Sequence, residues 1–342
     1  MSVILVTGGT GFVGGHMVAG LLKAGHEVRT SVRNLQRKVE LLSMLEQAGV
    51  TNHAGLTVDA ANLESDTGWA QMIKGCEFVH HVASPFPSQQ PKDEQQVIRP
   101  AVEGTLRILR FSRDAGVRRV IMTSSFAAIG YGHAPRPGQV FSESDWTNLE
   151  APLAPYIKSK TLAEQAAWSF IREEGGGMEF TAINPSGIFG PVLGPDYSSS
   201  VGLIQQMLDG EMPMVPRISF GVVDVRDVVD IHIRAMTYSA AAGERFIAVS
   251  GPPVSMLEVA RILRSTLGDA ASKVPTKQAP DWLLRTMALF SARARQVLPD
   301  LGRLRSASNK KARTVLGWAP RSATDAVLAT AHSLLELPPC LG

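Results

Sequence analysis

Tyr156 and Lys160 stand four positions apart in APYIKSKTLAEQAAW, in a chain with only four tyrosines among 342 residues. On a helix, four positions turn by about 400°, so the two side chains would share one face. A phenol titrates near pH 10, and acid/base work near neutrality calls for a pKa lower by about 2–3 units. An ammonium about 5 Å away, at an effective dielectric near 20, favours the phenolate by roughly 3 kcal/mol, or about two pKa units. A lysine at this spacing is an adequate tuner for a tyrosine acid/base. Chance pairing on a helix surface gives the same spacing, so context must decide. Upstream, VIMTSSFAAIG closes an apolar run with Ser124 and Ser125. Ligands of open α/β sheets lie outside the carboxyl ends of strands. A hydroxyl there can steady a substrate carbonyl beside the phenol. For one of the two serines, a local bond to the backbone turn is the expected role.

A second constellation opens the chain. VTGGTGFVGGH spaces Gly8, Gly11 and Gly14 as G-x-x-G-x-x-G between an apolar β-rich run and a helix-periodic one. Glycines let a backbone approach a pyrophosphate, and a helix N-terminus offers unpaired N–H groups and a positive dipole end. A tight strand–helix turn could also need glycine for flexibility alone. The end of the next strand selects the dinucleotide. A free ribose hydroxyl is usually held there by an acid, yet Val28 to Val39 holds no Asp or Glu. Arg33, Arg37 and Lys38 stand there instead, around the start of a helix whose dipole favours anions. The 2′-phosphate of NADP resolves that conflict, with Arg33 its first candidate. For Arg37 a solvated side chain is an equal alternative. NADP(H) is therefore expected over NAD(H).

Alternating elements position these residues. Strand-like runs SVILVTG, EVRTSVR, AGLTVDA, CEFVHHVASP, VRRVIMTSS and MEFTAINPSGIFGP alternate with helix-periodic stretches. The strands are apolar on both faces, so the fold expected is α/β: a doubly wound parallel sheet of the Rossmann type. Beyond about position 191 helical patterns dominate, in VSMLEVARILRSTLG, APDWLLRTMALFSARARQVL and ATDAVLATAHSLLEL. Residues 1–190 form the expected dinucleotide domain, with a segment near 220–250 returning to it through ERFIAVSG. Residues 191–219 and 251–342 form a smaller, mostly helical substrate lobe.

Several features have plainer readings. A net charge of +3 without a dense Lys/Arg run gives no footprint for nucleic acid or an anionic membrane. Cys76 and Cys340 are too far apart to make a metal or disulfide framework, which fits a reducing cytoplasm. The start MSVILVTGG lacks a basic region and a cleavage site, so no leader is expected. His80 and His81 have no acid or cysteine cluster at metal spacing and read as structural, so no metal is expected. In DVRD, Asp224 reads as a helix N-cap. Trp282, Leu283, Met287, Leu289 and Phe290 have helical spacing and read as core, or as the roof of an apolar pocket.

The glycine loop after the first strand, Thr-Ser-Ser at the end of the fifth and Tyr-x-x-Ser-Lys on the next helix resemble the extended short-chain dehydrogenase/reductase superfamily. The likeness is nearer to its dihydroflavonol 4-reductase-like branch, with cinnamoyl-CoA, aldehyde and ketone reductases. It extends through SVRN, HVASP, PAVEGTLRIL, NPSGIFGP, GVVDVRDVVDIHIRAM and SNKKARTVLGWAPRSATDAV. The resemblance implies Tyr156 as general acid/base, Lys160 as its tuner and ribose ligand, and Ser125 as the group orienting the substrate oxygen. It implies Gly8, Gly11, Phe12, Val13 and Gly14 at the pyrophosphate, Arg33 and Lys38 at the 2′-phosphate, and Asp59 and Ala60 near the adenine. Ala83, Ser84, Pro85 and Ser124 would line the cleft. Pro185, Gly187 and Ile188 would pack around the nicotinamide, with Ser200 also on the cofactor.

Together these readings predict NADPH-dependent reduction of an aldehyde or ketone, reversible as an alcohol dehydrogenase, in a cytoplasmic monomer or homodimer. The alternatives are a steroid-type dehydrogenase, a nucleotide-sugar epimerase using cations such as Arg217, Arg261 and Arg264, or a non-catalytic NADP-binding protein.

Overall fold

The computed structural model describes residues 1–84 and 93–336. Pro85 and Cys340 lie outside the described residues. The first half alternates as the sequence predicts: β1 (Val3–Val6), α1 (Phe12–Lys23), β2 (Glu27–Val32), α2 (Lys38–Gln47), β3 (Leu56–Ala60), α3 (Trp69–Ile73), β4 (Phe78–His81), α4 (Gln95–Asp114) and β5 (Arg119–Thr123). A short β6 (Val140–Phe141) precedes α5 (Pro155–Glu174), then β7 (Glu179–Pro185) and β8 (Gly187–Phe189). There follow α6 (Ser199–Asp209), β9 (Ser219–Phe220), β10 (Val222–Asp224), α7 (Val225–Thr237), β11 (Glu244–Ala248), β12 (Val254–Ser255) and α8 (Met256–Leu267). The chain ends through α9 (Asp281–Met287), α10 (Ala292–Val297), β13 (Ser306–Ala307), α11 (Lys310–Leu316) and α12 (Ala323–Glu336).

Seven strands form one sheet in the order β11-β7-β5-β4-β1-β2-β3, and every pairing in it is parallel. The chain winds outward from β1 to β3, then reverses from β4 towards β11. The reversal lies between β1 and β4, where doubly wound sheets bind ligands. The run ERFIAVSG does return to the sheet, as its edge strand β11.

The strands are apolar on both faces because helices cover both. On one side Met17, Leu21, Ile231 and Ala235 bury against the sheet with Leu316 and Trp318. On the other, Trp69, Ile108, Phe170 and Phe180 do so. A third core holds the lobe together through Ile204, Met207, Val259, Leu263, Ala326 and Val327. Within 251–342, Leu316 and Trp318 therefore belong to the sheet side, and the indole of Trp318 donates to the carbonyl of Asp227 at 2.9 Å. The lobe is pinned to the sheet by α12: Thr330 and Ser333 hydroxyls accept from the backbone N–H groups of Gly190 and Val192 at 2.7 and 2.9 Å.

One expectation fails. The stripe from Trp282 to Phe290 is neither core nor pocket roof. Trp282 is 68% exposed and Phe290 86%, and neither lines the cleft described below. The chain leaves α9 after seven residues and re-enters a helix only at α10. Among the described residues α9 has α10 as its helical neighbour, too little to cover a stripe of large side chains.

Candidate active site

A cleft of about 1030 Å³ runs along the carboxyl ends of the strands, from the glycine loop to the lobe. At one end Gly8 takes a φ of 75°, a region open to glycine and strained for other residues. Gly14 has no room for a side chain, since a Cβ would stand 2.0 Å from the Gly8 carbonyl oxygen. The loop thus closes tightly on the start of α1. That helix has Gly11 at its N-cap, no side-chain cap and no acid in its first turn. Its first-turn residues Phe12, Val13 and Gly14 line the cleft, and the free N–H groups of a helix start are what an anion-binding turn requires.

Arg33, at the end of β2, lines the cleft, and no carboxylate stands within ion-pair distance of it among the described residues. Arg37 also lines the cleft but is spoken for, bonding Glu40 at 2.7 Å and Asp196 at 2.6 Å. Lys38 is the first residue of α2 and does not line the cleft, nor do Asp59 and Ala60 on β3. Ala61, Asn62 and Leu63, just past β3, take the lining positions there. The structure brings together on the cleft wall Gly8, Gly11, Phe12, Val13 and Gly14. Ala83, Ser84 and Ser124 join them, with Pro185, Gly187, Ile188 and Ser200 on the lobe side.

The chemical groups meet where β5 ends and α5 begins. Pro155 sits in the first turn of α5, where a missing N–H costs nothing. That start sets Tyr156 at the cleft and Lys160 one turn deeper, 7% exposed. The Ser125 hydroxyl bonds the Tyr156 phenol. The same hydroxyl accepts from the Ala127 N–H at 3.1 Å. The turn bond expected for one serine therefore falls on the serine that also meets the phenol. Ser124 turns inward instead and donates to the buried carboxylate of Glu164.

The electrostatics differ from the sequence expectation. Tyr156 is 37% exposed, but the wall it sits on is concave and protein surrounds it. Burial pushes its phenol above the ordinary range, and the Ser125 hydrogen bond offsets part of that. The same crowding brings the Lys160 ammonium down to about 8, with Glu164 pulling it back up. Desolvation is the largest cause of both shifts, because both groups lose water in one place. In this state the phenol holds its proton firmly.

His80 and His81 are tied into the interior. His81 bonds Thr7 at 3.1 Å, and His80 bonds His232 at 3.3 Å. Burial lowers both imidazoles to about 3, leaving them neutral. Asp224 caps α7 by accepting from the Arg226 N–H. Arg217, Arg261 and Arg264 do not line the cleft; Arg217 bonds Asp281 and Arg264 holds lobe carbonyls.

Sequence reasoning missed Glu164, Asn184 and Arg245, which pack behind the site, and Tyr131, Phe220, Met256 and Arg305, which wall its far end. Glu164 was within reach: it lies four positions after Lys160 on the same helical face. The far-end residues come from separate segments, Phe220 on β9 and Met256 at the start of α8, and carry no local pattern.

Comparison with known proteins agrees with this geometry. Residues 4–248 match the NAD dependent epimerase/dehydratase family, and the chain belongs to that family. It is 33% identical over 287 residues to a cinnamoyl-CoA reductase of Medicago truncatula, covering 82% of this chain and 85% of that one. It is 29% identical to a ketoreductase of Aspergillus niger over 97% of both chains. The yeast methylglyoxal/isovaleraldehyde reductase Gre2, solved with NADPH, superposes with a TM-score of 0.81 at 25% identity, covering 98% of each chain.

Proposed function

We propose that this member of the family is an NADPH-dependent carbonyl reductase, which reduces an aldehyde or ketone to the alcohol and runs in reverse as an alcohol dehydrogenase. One observation carries the reading. A single cleft joins the uncapped start of α1 to Ser125, Tyr156 and Lys160. The names of relatives, a cinnamoyl-CoA reductase, a ketoreductase and an aldehyde reductase solved with NADPH, support it.

The residues fit the cofactor. Gly14, without room for a Cβ, leaves the turn tight enough for Gly8, Gly11, Phe12, Val13 and Gly14 to cradle a pyrophosphate. Arg33 offers its guanidinium to the 2′-phosphate. Ala83, Ser84 and Ser124 flank the middle, and Pro185, Gly187, Ile188 and Ser200 the nicotinamide end. When bound, NADPH supplies the hydride. Tyr156 holds, at Oη, the proton that the carbonyl oxygen takes up. Burial keeps that proton in place, so the resting protein is set for reduction. Ser125 steadies the oxygen, and the Lys160 ammonium stabilises the phenolate left behind. Leu203, Ile218, Phe220 and Met256 line the far end, which suits an apolar aldehyde or ketone.

NADPH consumption against a panel of aldehydes and ketones tests the reading. Tyr156→Phe should lower kcat by about 10²- to 10⁴-fold, while NADPH binding, read by fluorescence titration, stays intact. Equal turnover by the two proteins would refute the assigned mechanism. Arg33→Ala should weaken NADPH about 10- to 100-fold and NADH little, because a charge-assisted hydrogen bond is lost only with the phosphate. Equal losses for both cofactors would remove Arg33 from that role.

A further inference from the structure

Behind the reacting groups lies a charge that the proposed mechanism does not use. Glu164 is fully buried on α5, and its two oxygens are shared among four partners. One accepts from Asn184 Nδ2 at 2.7 Å and from the Ser124 hydroxyl. The other accepts from Arg245 Nε at 2.6 Å and from the indole of Trp168 at 3.2 Å. Asn184 in turn donates to the Ser125 carbonyl at 3.1 Å. The end of β5, which carries the two serines, is thus joined through one carboxylate to the helix that carries Tyr156 and Lys160.

Arg245 comes from the edge strand β11 and is itself held rigidly. Its Nη1 donates to the carbonyls of Glu143 and Asp145, both at 2.8 Å. Its guanidinium lies 3.8 Å above the Trp146 ring. A buried ion pair is weak evidence for stability, because well-packed apolar residues often serve as well. Placement of this pair, one turn beyond Lys160, bonded to Ser124 and joined through Asn184 to the Ser125 carbonyl, calls for another account.

We propose that Glu164 is a positioning residue: its carboxylate fixes the Ser124–Ser125 segment against the Tyr156–Lys160 helix, and its charge, balanced by Arg245, keeps Lys160 cationic. The inference rests on the carbonyl-reductase reading for its kinetic consequences only. Among the described residues, the titratable groups about Lys160 are Tyr156 and Glu164 on its own helix and His81 on β4. His81 is neutral, so Glu164 is the anion that matters there. Lys160, already brought down to about 8 by burial, would fall further without it.

Removing the charge alone strands Arg245, so the decisive protein is Glu164→Gln/Arg245→Met, which removes both charges and keeps the volume. Lysine 13C-labelled protein, titrated by NMR, reads Lys160 without turnover; kcat, the NADPH KM and the pH profile read the reaction. The double variant should regain the thermal midpoint lost in Glu164→Gln. Its Lys160 titration should sit about one pH unit below wild type, with kcat down about tenfold and the NADPH KM unchanged. The alkaline limb of kcat/KM should move to lower pH by the same amount. Ser124→Ala, which removes a hydrogen bond to the Glu164 carboxylate but no charge, should lower kcat and leave the Lys160 titration in place. A double variant with wild-type Lys160 titration and kcat would overturn the proposal. If the double variant does not fold, wild-type kcat in Ser124→Ala does so instead. Absence of NADPH turnover in the wild type would sink the enzymatic reading alone, since the NMR titration still judges the link between Glu164 and Lys160.

Discussion

Residues 254–267 and 281–297 read alike as sequence, each an apolar stripe at helical spacing, and they end in opposite places. In the first, Met256, Val259, Ala260 and Leu263 are all buried. In the second, α9 contributes no buried residue, and Trp282, Met287, Leu289 and Phe290 face solvent. The difference lies in the neighbours. α8 packs against α12, whose Ala326, Val327 and Ala331 complete its core. Its start is fixed by a capping box, Ser255 and Glu258 satisfying each other's backbone N–H groups. α9 begins after Pro280 with no side-chain cap and stops after seven residues. Periodicity specifies a helix with an apolar side; burial needs a second surface to receive that side.

The largest effect should come from emptying the side that has found its partner. Leu263 is 0% exposed within the lobe core, so Leu263→Ala should cost about 2–5 kcal/mol in chemical denaturation. A loss under 1 kcal/mol would mean that the lobe repacks freely, and the contrast between the two stretches would collapse. The capping box comes next. Ser255→Ala removes the acceptor for the Glu258 N–H at 3.1 Å and should cost about 1 kcal/mol. Ser255→Asn, which keeps an acceptor at the cap, should recover most of that loss. A cost equal to that of Leu263→Ala would point to packing, not capping, as the work of Ser255.

The same lesson sorts what was legible in the chain. Local rules found the sheet, because each strand is a short apolar run between turn signals and each crossover is a periodic helix. They found Gly8 with its positive φ, Gly11 at the N-cap of α1 and Gly14, where a Cβ would meet the Gly8 carbonyl, and Tyr156 and Lys160, which one helix presents together. Ser125 and Arg33, at strand ends, line the cleft. Lys38, Asp59 and Ala60 stand one or two positions from Arg37 and Ala61, which line the cleft, and spacing alone cannot resolve such a displacement at a helix start or strand end. The electrostatic expectation for Tyr156 missed because Coulomb attraction was counted and the shared desolvation was not. Arg245 and Arg305 arrive from distant segments, so only the fold brings them to the site.

The smallest effect sharpens the comparison most. If the α9 stripe is truly uncovered, polar substitution there removes little from the folded state. Trp282→Ser and Phe290→Ser should each change stability by no more than about 0.5 kcal/mol. They expose no cavity, and the unfolded chain gains as much in hydration as the folded one. Neither residue lines the cleft, so kcat/KM for a small aldehyde should hold as well. A loss above about 1.5 kcal/mol in either variant, measured against the same Leu263→Ala baseline, would mean that something covers the stripe in solution. A second copy of the chain is then the first occupant to test, because mass action would make the loss depend on protein concentration. A loss independent of concentration would instead place the cover within the chain itself.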